Sequence, residues 1–416
     1  MRTARMRCPA LLVLILVSVG NCFQEFEKRP PPVVFVPGDG ASIIEGHVNK
    51  TAVAAGCQVY DGWFRLWLNL KLLMPGNLPC TVNYWRMMFD ANTNTSHTIP
   101  GVETRVPGFG TAYAIEYMDP SWAAYFMGNV GADAHALVEE LLQHGYVRDT
   151  SITGAPYDFR LTMASQKLYF RKLRLLVEWT YKQNGNLKVA LIGHSLGGLY
   201  TTWFLNHQSQ SWKDKFIDCF ISVSTPWGGS IEALQSIVSG FNFRQSEIDS
   251  FVVRKAQQTF ESNYLLLPNP NVWPKATAFV ATDERNYTAS RADITHLVEK
   301  LQMSPDMYHY VLDTNAKWRR GVMPPHPGVT TFCLYGAEIT TGHALYYSGH
   351  DLIHDQPILS NTIGDGSVGH LSLSACREWD LKDRQIELKG IGHVQMIQHK
   401  KAIDLITKIL FRNISR

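Results

Sequence analysis

The sequence predicts an α/β protein built on a mostly parallel central sheet, and three observations carry that prediction. The short apolar runs Val33 to Val36, Val189 to Ile192 and Phe216 to Val223 have the length and composition of strands buried on both faces. Each run stops at a Gly- or Pro-bearing turn: Pro37-Gly38-Asp39-Gly40, Gly193-His194-Ser195-Leu196-Gly197 and Ser224-Thr225-Pro226-Trp227-Gly228-Gly229. Between them lie stretches with helical spacing, Ala132 to His144 and Tyr169 to Tyr181, so strands and helices alternate as crossover connections require.

In chain order, the first segment stands apart. Arg2, Arg5 and Arg7 precede the apolar run Ala10 to Val19, with the small residues Ser18 and Gly20 at its end. This reads as a secretory signal peptide over residues 1–22, and its apolar run is too short to span a bilayer. Of 39 Lys+Arg, three belong to this leader; the rest balance the 36 Asp+Glu, which argues against a nucleic-acid partner. The 15 His all follow the leader and would make the chain cationic near pH 5, a state suited to anionic membranes in an acidic compartment. Cys57, Cys80, Cys219, Cys333 and Cys376 also follow the leader. Five is odd, so at least one is a free thiol, and Cys219 in its apolar run is the natural candidate. The natural pairs are Cys57–Cys80 and Cys333–Cys376, although spacing alone does not fix connectivity. Sequons at Asn49, Asn94, Asn286 and Asn413 suit a glycoprotein of the secretory pathway.

Residues 30–52 and 90–230 read as the sheet-bearing core, and residues 329–412 as its C-terminal part. Thr330 to Tyr335 and Gln385 to Leu388 are its last strands, and Ala402 to Phe411 its closing helix. Within residues 53–89, Trp63 to Met74 reads as a helix with apolar side chains almost all round. It is either a core helix or a segment that inserts shallowly into lipid. From 231 to 328 the alternation fades, which suggests a cap with a lid at about 239–260. The Asp158–Arg160 pair reads as scaffolding between loops.

The chemistry centres on Gly193-His194-Ser195-Leu196-Gly197, which fits G-x-S-x-G between a strand and an apolar helix. In that setting the serine projects above the sheet from a sharp turn. A serine nucleophile needs a base and a group that orients it. His393, in a glycine-flanked loop after the last strand, is the best base, with His399 and His370 as alternatives. Asp365, in Gly364-Asp365-Gly366, is the best acid, with Asp351 and Asp355 as competitors. Ser195, Asp365 and His393 then follow the chain order of the α/β-hydrolase fold. The backbone N–H groups of Leu196 and Asp39 are the expected oxyanion donors. No cluster has metal-ligand spacing and no phosphate-binding glycine loop is present, so no cofactor is expected.

Several stretches together resemble the lecithin:cholesterol acyltransferase family: VVFVPG (33–38), LWLNL (66–70), RVPGFG (105–110), GAPYDFR (154–160), IGHSLGGL (192–199), WKDKFI (212–217), PWGG (226–229) and CLYG (333–336), with the Asp365 and His393 loops. The resemblance covers roughly residues 30–411 and is closest in kind to the family's lysosomal phospholipase A2 branch. It implies an α/β-hydrolase core, a membrane-binding subdomain around Cys57–Cys80 that uses Trp63, Phe64, Leu66, Trp67 and Leu70, a cap with a lid, the triad above, and both disulfides. It further implies a serine phospholipase A and O-acyltransferase. Such an enzyme takes an acyl chain from membrane phospholipid and passes it to water or to a lipid alcohol such as ceramide or sterol. The expected setting is lysosomal or secreted, the protein a monomer, and the partners phospholipid membranes or lipoprotein particles. Two other readings stay open: a phosphatidylcholine-sterol acyltransferase acting on lipoproteins, and a non-catalytic lipid-binding glycoprotein. Two positions depart from the family pattern, Gly40-Ala41-Ser42-Ile43 after Asp39 and Phe159 in place of Trp. A carboxylate at Asp39 beside a developing oxyanion predicts an optimum below about pH 6.

Overall fold

Six strands form the central sheet, in the spatial order Gln385–Lys389, Thr331–Ala337, Ile217–Val223, Val189–His194, Val33–Val36 and Ile152–Gly154. Every neighbouring pair is parallel. The structure, a computed structural model, describes residues 29–49, 53–121, 131–319, 321–349 and 351–412. The expected leader, the Asn413 sequon and part of the Asn49 sequon lie outside the described residues. Asn49, Asn94 and Asn286 themselves are exposed. The chain divides into Met1–Pro30 and Pro31–Arg416, and all elements described here belong to the second unit.

The strands are apolar throughout because both faces are covered. Alternate residues go to opposite sides, as a pleat requires. Val34, Val36, Leu191 and Phe220 join a core packed by Leu173, Leu176 and Val177 of helix Lys167–Gln183. Val33, Phe35, Ala190, Ile192 and Ile221 join another, packed by Leu137 and Leu141 of helix His135–Gln143 and by Ile403, Ile406 and Leu410 of helix Lys400–Leu410. The sheet-bearing α/β fold is therefore the one the apolar runs predicted.

The additions differ more from expectation. Trp63 to Met74 is not a helix. Phe64–Trp67 is a strand paired antiparallel with Ile44–Val48, which also pairs with Val102–Arg105. Only Leu70–Leu73 turns helical, started by Asn69, whose side chain accepts from the Leu72 N–H. An apolar run without clear period cannot distinguish strand from helix; here the partner strand decides. The helix of this region is Leu78–Trp85, entered through Pro79 and tied by Cys80 to Cys57. Cys333 and Cys376 form the second disulfide, and Cys219 is buried and free. The stretch expected to form a cap contains helices Ile231–Val238, Ser250–Gln257, Glu261–Leu265, Arg291–Lys300 and Pro305–Arg319. Its sheet, ordered Asn286–Thr288, Ala278–Ala281, Ile339–Tyr346, Ile358–Gly364, takes two strands from beyond residue 328. The expected break between cap and core at 328/329 therefore does not hold. Among the described residues, no helix is long and apolar enough to cross a membrane.

Candidate active site

The strand Val189–His194 delivers Ser195 at φ 53°, ψ −126°, a conformation that L-residues adopt only when their surroundings hold them there. The surroundings do so closely. A Cβ on Gly197 would stand 2.2 Å from the Val36 carbonyl oxygen, and one on Gly198 would stand 1.8 Å from Thr225 Oγ1. The Ser195 N–H donates to the Val223 carbonyl at 2.8 Å, and helix Leu196–Asn206 starts at once. Ser195 retains only 9% exposure.

His393 and Asp365 converge on it from the C-terminal end of the sheet. His393 Nε2 lies 2.9 Å from Ser195 Oγ and its Nδ1 lies 2.7 Å from Asp365 Oδ2. The His393 N–H also donates to the Asp365 carbonyl at 2.7 Å, which locks the two loops together. Asp365 Oδ1 accepts from the N–H groups of Ser367 at 3.1 Å and Val368 at 2.8 Å. Burial works to raise the Asp365 carboxyl, but the facing His393 and these donors hold it below the ordinary carboxylate range. Burial likewise works to lower His393, and the Asp365 charge and hydrogen bond outweigh it, so the imidazole is raised.

The competing residues are engaged elsewhere. His370 faces Glu387, Asp351 faces His354, and His399 caps the closing helix. Asp355 donates its N–H to the Asp351 carbonyl. His194 is a part the motif did not suggest. Its Nε2 lies 3.2 Å from the His393 carbonyl oxygen, so that nitrogen carries the hydrogen. Burial and the nearby His393 push it down to about 3, which keeps it neutral.

The loop after the first strand lies against the nucleophile: a Cβ on Gly38 would approach Ser195 Cβ to 3.0 Å. Three side chains fix this loop. Trp67 Nε1 donates to the Gly40 carbonyl at 2.6 Å, Tyr157 Oη to the Pro37 carbonyl at 2.9 Å, and the Tyr157 N–H to Ser42 Oγ at 3.1 Å. Leu196, first in its helix, has an N–H outside the helical hydrogen-bond ladder. Protein crowding the Asp39 carboxyl pushes it up to about 7, against a backbone hydrogen bond at Gly40 and with repulsion from Glu232 adding. The Asp39 residue as a whole is nevertheless exposed.

The expected lid begins as the loop Gly240–Asp249 and continues into helix Ser250–Gln257. Phe243 and Arg244 sit at positive φ, 55° and 61°. Phe243 packs on Trp67 with ring centroids 5.3 Å apart, and Arg244 binds Glu232 and the Gly366 carbonyl, next to Asp365. The stretch expected to be a lid thus rests on Trp67, which holds the Gly40 carbonyl, and on the turn that carries Asp365. Glu232, Arg244 and Tyr157 were not legible as site residues, and Trp67 was expected only as a lipid-facing one, because each reaches the site through tertiary packing.

The lipid-facing residues need correction. Leu66 and Trp67 are 1% and 6% exposed, so neither can face a membrane in this structure, and Phe64 and Leu70 are half-buried. Once the segment is a strand, Leu66 and Trp67 pack into the protein. Trp63 stays exposed, with Val59 and Met74 in the same region. Arg160 is fully buried and grips Asp158 through Nε at 2.9 Å and Nη2 at 2.6 Å, while also donating to Trp85 and Thr104, so this pair is scaffolding. Phe159 packs among Trp67, Trp85 and Phe260. Glu116, His135 and Glu139 bring potential metal-ligand atoms within 4.8 Å of one another. Arg148 already binds Glu116 through Nε at 2.7 Å and Nη2 at 2.8 Å and also contacts Glu139, which makes this an ion-pair cluster.

Comparison with known proteins places this geometry. The family model for lecithin:cholesterol acyltransferase matches residues 63–319. Human lysosomal phospholipase A and acyltransferase is 34% identical over 388 residues, covering 92% of this chain and 91% of that protein. Mouse phosphatidylcholine-sterol acyltransferase is 33% identical over 393 residues, covering 93% and 86%. Among solved structures, a chain of the Tle4–Tli4 complex aligns with a TM-score of 0.56 at 12% identity, covering 93% of this chain and 99% of that one, a likeness of fold. With its sheet order, its serine turn and its relatives in agreement, this chain is an α/β-hydrolase-fold member of the lecithin:cholesterol acyltransferase family.

Proposed function

We propose that the protein is a serine phospholipase A and O-acyltransferase that cleaves an acyl chain from membrane glycerophospholipid and transfers it to water or a lipid alcohol. The observation that carries this reading is the continuous Ser195–His393–Asp365 hydrogen-bond chain, 2.9 Å and 2.7 Å, in a family whose named relatives are acyltransferases. Ser195 Oγ attacks the ester carbonyl while His393 Nε2 takes its proton and Asp365 holds the imidazolium through Nδ1–H. The Leu196 and Asp39 N–H groups receive the oxyanion. Collapse expels the lysophospholipid alkoxide, which takes the proton back from His393, and leaves an acyl-enzyme. Water or a lipid alcohol, deprotonated by the same histidine, then releases the acyl group.

A protonated Asp39 leaves the oxyanion unopposed, which favours an acidic compartment, the lysosome before the extracellular space. The exposed Trp63, with Val59 and Met74, supports docking on a lipid surface. Human and mouse relatives of the two kinds are 34% and 33% identical to this chain, so acceptor choice falls to product analysis. The test has two parts. A fluorophosphonate should label the wild type and not Ser195→Ala. Phospholipid vesicles carrying both ceramide and cholesterol, incubated at pH 4.5 and 7.4, should yield lysophospholipid with free fatty acid or an acylated alcohol. Labelling of neither protein would overturn the reading in favour of a non-catalytic lipid binder. Cholesteryl ester formed only with an apolipoprotein present would move it to the sterol acyltransferase branch.

A further inference from the structure

Helix Lys167–Gln183 crosses from strand Ile152–Gly154 to strand Val189–His194, and its inner face is buried: Leu173, Leu176 and Val177 pack on the sheet. Its outer face carries apolar side chains as well. Leu168, Leu175 and Trp179 stand out to solvent, 61%, 64% and 41% exposed. Their spacing places them on one side of the helix, as a stripe about 16 Å long at 1.5 Å per residue. Lys172 fills the gap between Leu168 and Leu175, Lys182 extends the stripe beyond Trp179, and Arg171 flanks it; all three are exposed. We propose that this stripe is a second lipid-contact face, separate from the catalytic site, which docks on bilayers bearing anionic headgroups. The proposal rests on the reading that the substrate lies in a lipid surface.

Three observations choose this occupant. The first is charge. Glu178 is the one acid in the helix, and it is half-buried and engaged: its Oε1 accepts from Trp212 Nε1 at 2.7 Å and from Arg174 Nε at 3.0 Å. The outward side chains of the helix that carry charge are therefore cations, complementary to a negative surface. The second is the kind of side chain. An indole settles at the headgroup level of a bilayer, and Lys and Arg lay their stems along apolar surface while their charged ends reach the phosphates. Two leucines beside such groups suit shallow insertion. The third is continuity with the exposed Trp63, which the proposed function already sets against lipid. The Arg105 guanidinium lies over the Trp63 ring at 4.3 Å, and four residues further on Phe109 meets Tyr169 in the first turn of the helix, ring centroids 6.0 Å apart. A short run of chain thus joins Trp63 to the helix beside Leu168.

The experiment uses the full-length protein and vesicles of non-hydrolysable diether phosphatidylcholine, with or without diether phosphatidylglycerol, at pH 7.4, where histidine charge contributes little. An environment-sensitive thiol dye is attached at Leu175→Cys. A separate protein carries it at Lys408→Cys, exposed on the closing helix that packs on the other side of the sheet. The parent protein, whose free Cys219 is buried, serves as the labelling blank. Anionic vesicles should shift the Leu175→Cys dye to bluer, brighter emission and leave the Lys408→Cys dye unchanged. Lys172→Glu with Lys182→Glu should weaken binding to anionic vesicles at least tenfold and change binding to neutral vesicles little. Leu168→Ser with Trp179→Ser should weaken both severalfold. Both double variants should keep the wild-type rate of Ser195 labelling by fluorophosphonate, because the replaced side chains lie on the outer face of the helix. The proposal is overturned if anionic vesicles leave the Leu175→Cys dye unmoved, or if both double variants bind as the wild type does. Release from vesicles by Trp63→Ser, with the Leu175→Cys dye unmoved, would overturn it while the lipid-surface reading stood on Trp63. A shift of that dye by polyglutamate and not by vesicles would overturn it in favour of an acidic polypeptide. Failure of the fluorophosphonate to label Ser195 would speak against the acyl-transfer reading instead, and the dye measurement does not depend on it.

Discussion

Replacing Asp39 with Asn separates the two titrations that set the working pH. Catalysis requires neutral His393, so the raised imidazole sets the acid limb, where activity climbs with pH. Asp39, crowded by protein and pushed up to about 7, sets the alkaline limb. If only the protonated carboxyl supports reaction, the fraction of competent Asp39 falls from about 50% at pH 7 to about 3% at pH 8.5, and because His393, raised above 6.5, must be neutral as well, the two limbs meet near pH 7 rather than below the expected pH 6. Asparagine carries no charge, so Asp39→Asn should lose that fall and keep the acid limb. The assay is initial fatty-acid release from neutral phospholipid vesicles between pH 4.5 and 8.5 at constant ionic strength, with vesicle binding measured separately because the histidines also titrate. The argument fails if Asp39→Asn retains the same fall from pH 7 to 8.5, or if the wild type shows no such fall. Stability supplies a second check. The folded carboxyl titrates above its ordinary 3.8, so its ionisation opposes folding increasingly from about pH 4 to 7. Asp39→Asn should therefore raise Tm at pH 8 and leave it unchanged at pH 3.5.

Other perturbations probe separate parts of the molecule. Trp67→Phe removes the donor to the Gly40 carbonyl and should cost about 1–3 kcal/mol in denaturant unfolding while slowing fluorophosphonate labelling; stability lost at an unchanged labelling rate would remove Trp67 from the oxyanion loop's support. Asp133 is buried with Oδ2 unpartnered, and burial raises its carboxyl to about 7. Asp133→Asn should thus stabilise the fold above pH 7, by up to about 4 kcal/mol, and not below pH 4, as a pH series of urea midpoints would show. Cys57→Ser with Cys80→Ser opens a loop with sequence separation 23, and should cost about 3 kcal/mol of unfolding free energy, with Ser195 still open to labelling.

What could be read from the chain follows the range of the forces involved. The sheet was legible because a strand buried on both faces needs a continuous apolar run, and Val33–Val36 and Val189–His194 have one. The Ser195 turn was legible because its glycines answer to close backbone approach, as the Val36 carbonyl 2.2 Å from a would-be Gly197 Cβ demonstrates. Phe64–Trp67 was not, because its strand state depends on Ile44–Val48, itself inconspicuous in sequence. The same holds for the hairpin Ile339–Tyr346 and Ile358–Gly364, which joins the cap's sheet rather than the central one. Trp67 shows the cost most plainly: the family resemblance implied a lipid-facing residue, whereas its indole N–H, invisible to any apolar scale, donates to the Gly40 carbonyl.

Two of the proposed catalytic side chains follow strands of the central sheet, Ser195 after Val189–His194 and His393 after Gln385–Lys389, whereas Asp365 follows Ile358–Gly364 of the second sheet and meets His393 across its turn. Between Ser195 and Asp365 the chain also supplies the central strands Ile217–Val223 and Thr331–Ala337, so it is the stretch between those two that is constrained chiefly at its ends, which pair side by side. A flexible insertion that doubled a loop there would add only about 0.6 kcal/mol of closure entropy. The parallel sheet thus acts as a fixed chassis on which a lineage can lengthen, trim or exchange the cap while the distances at Ser195 stay put. On that view, descendants of one ancestral hydrolase diverge in substrate by editing surface loops, and changes to the strands themselves are the ones selection removes.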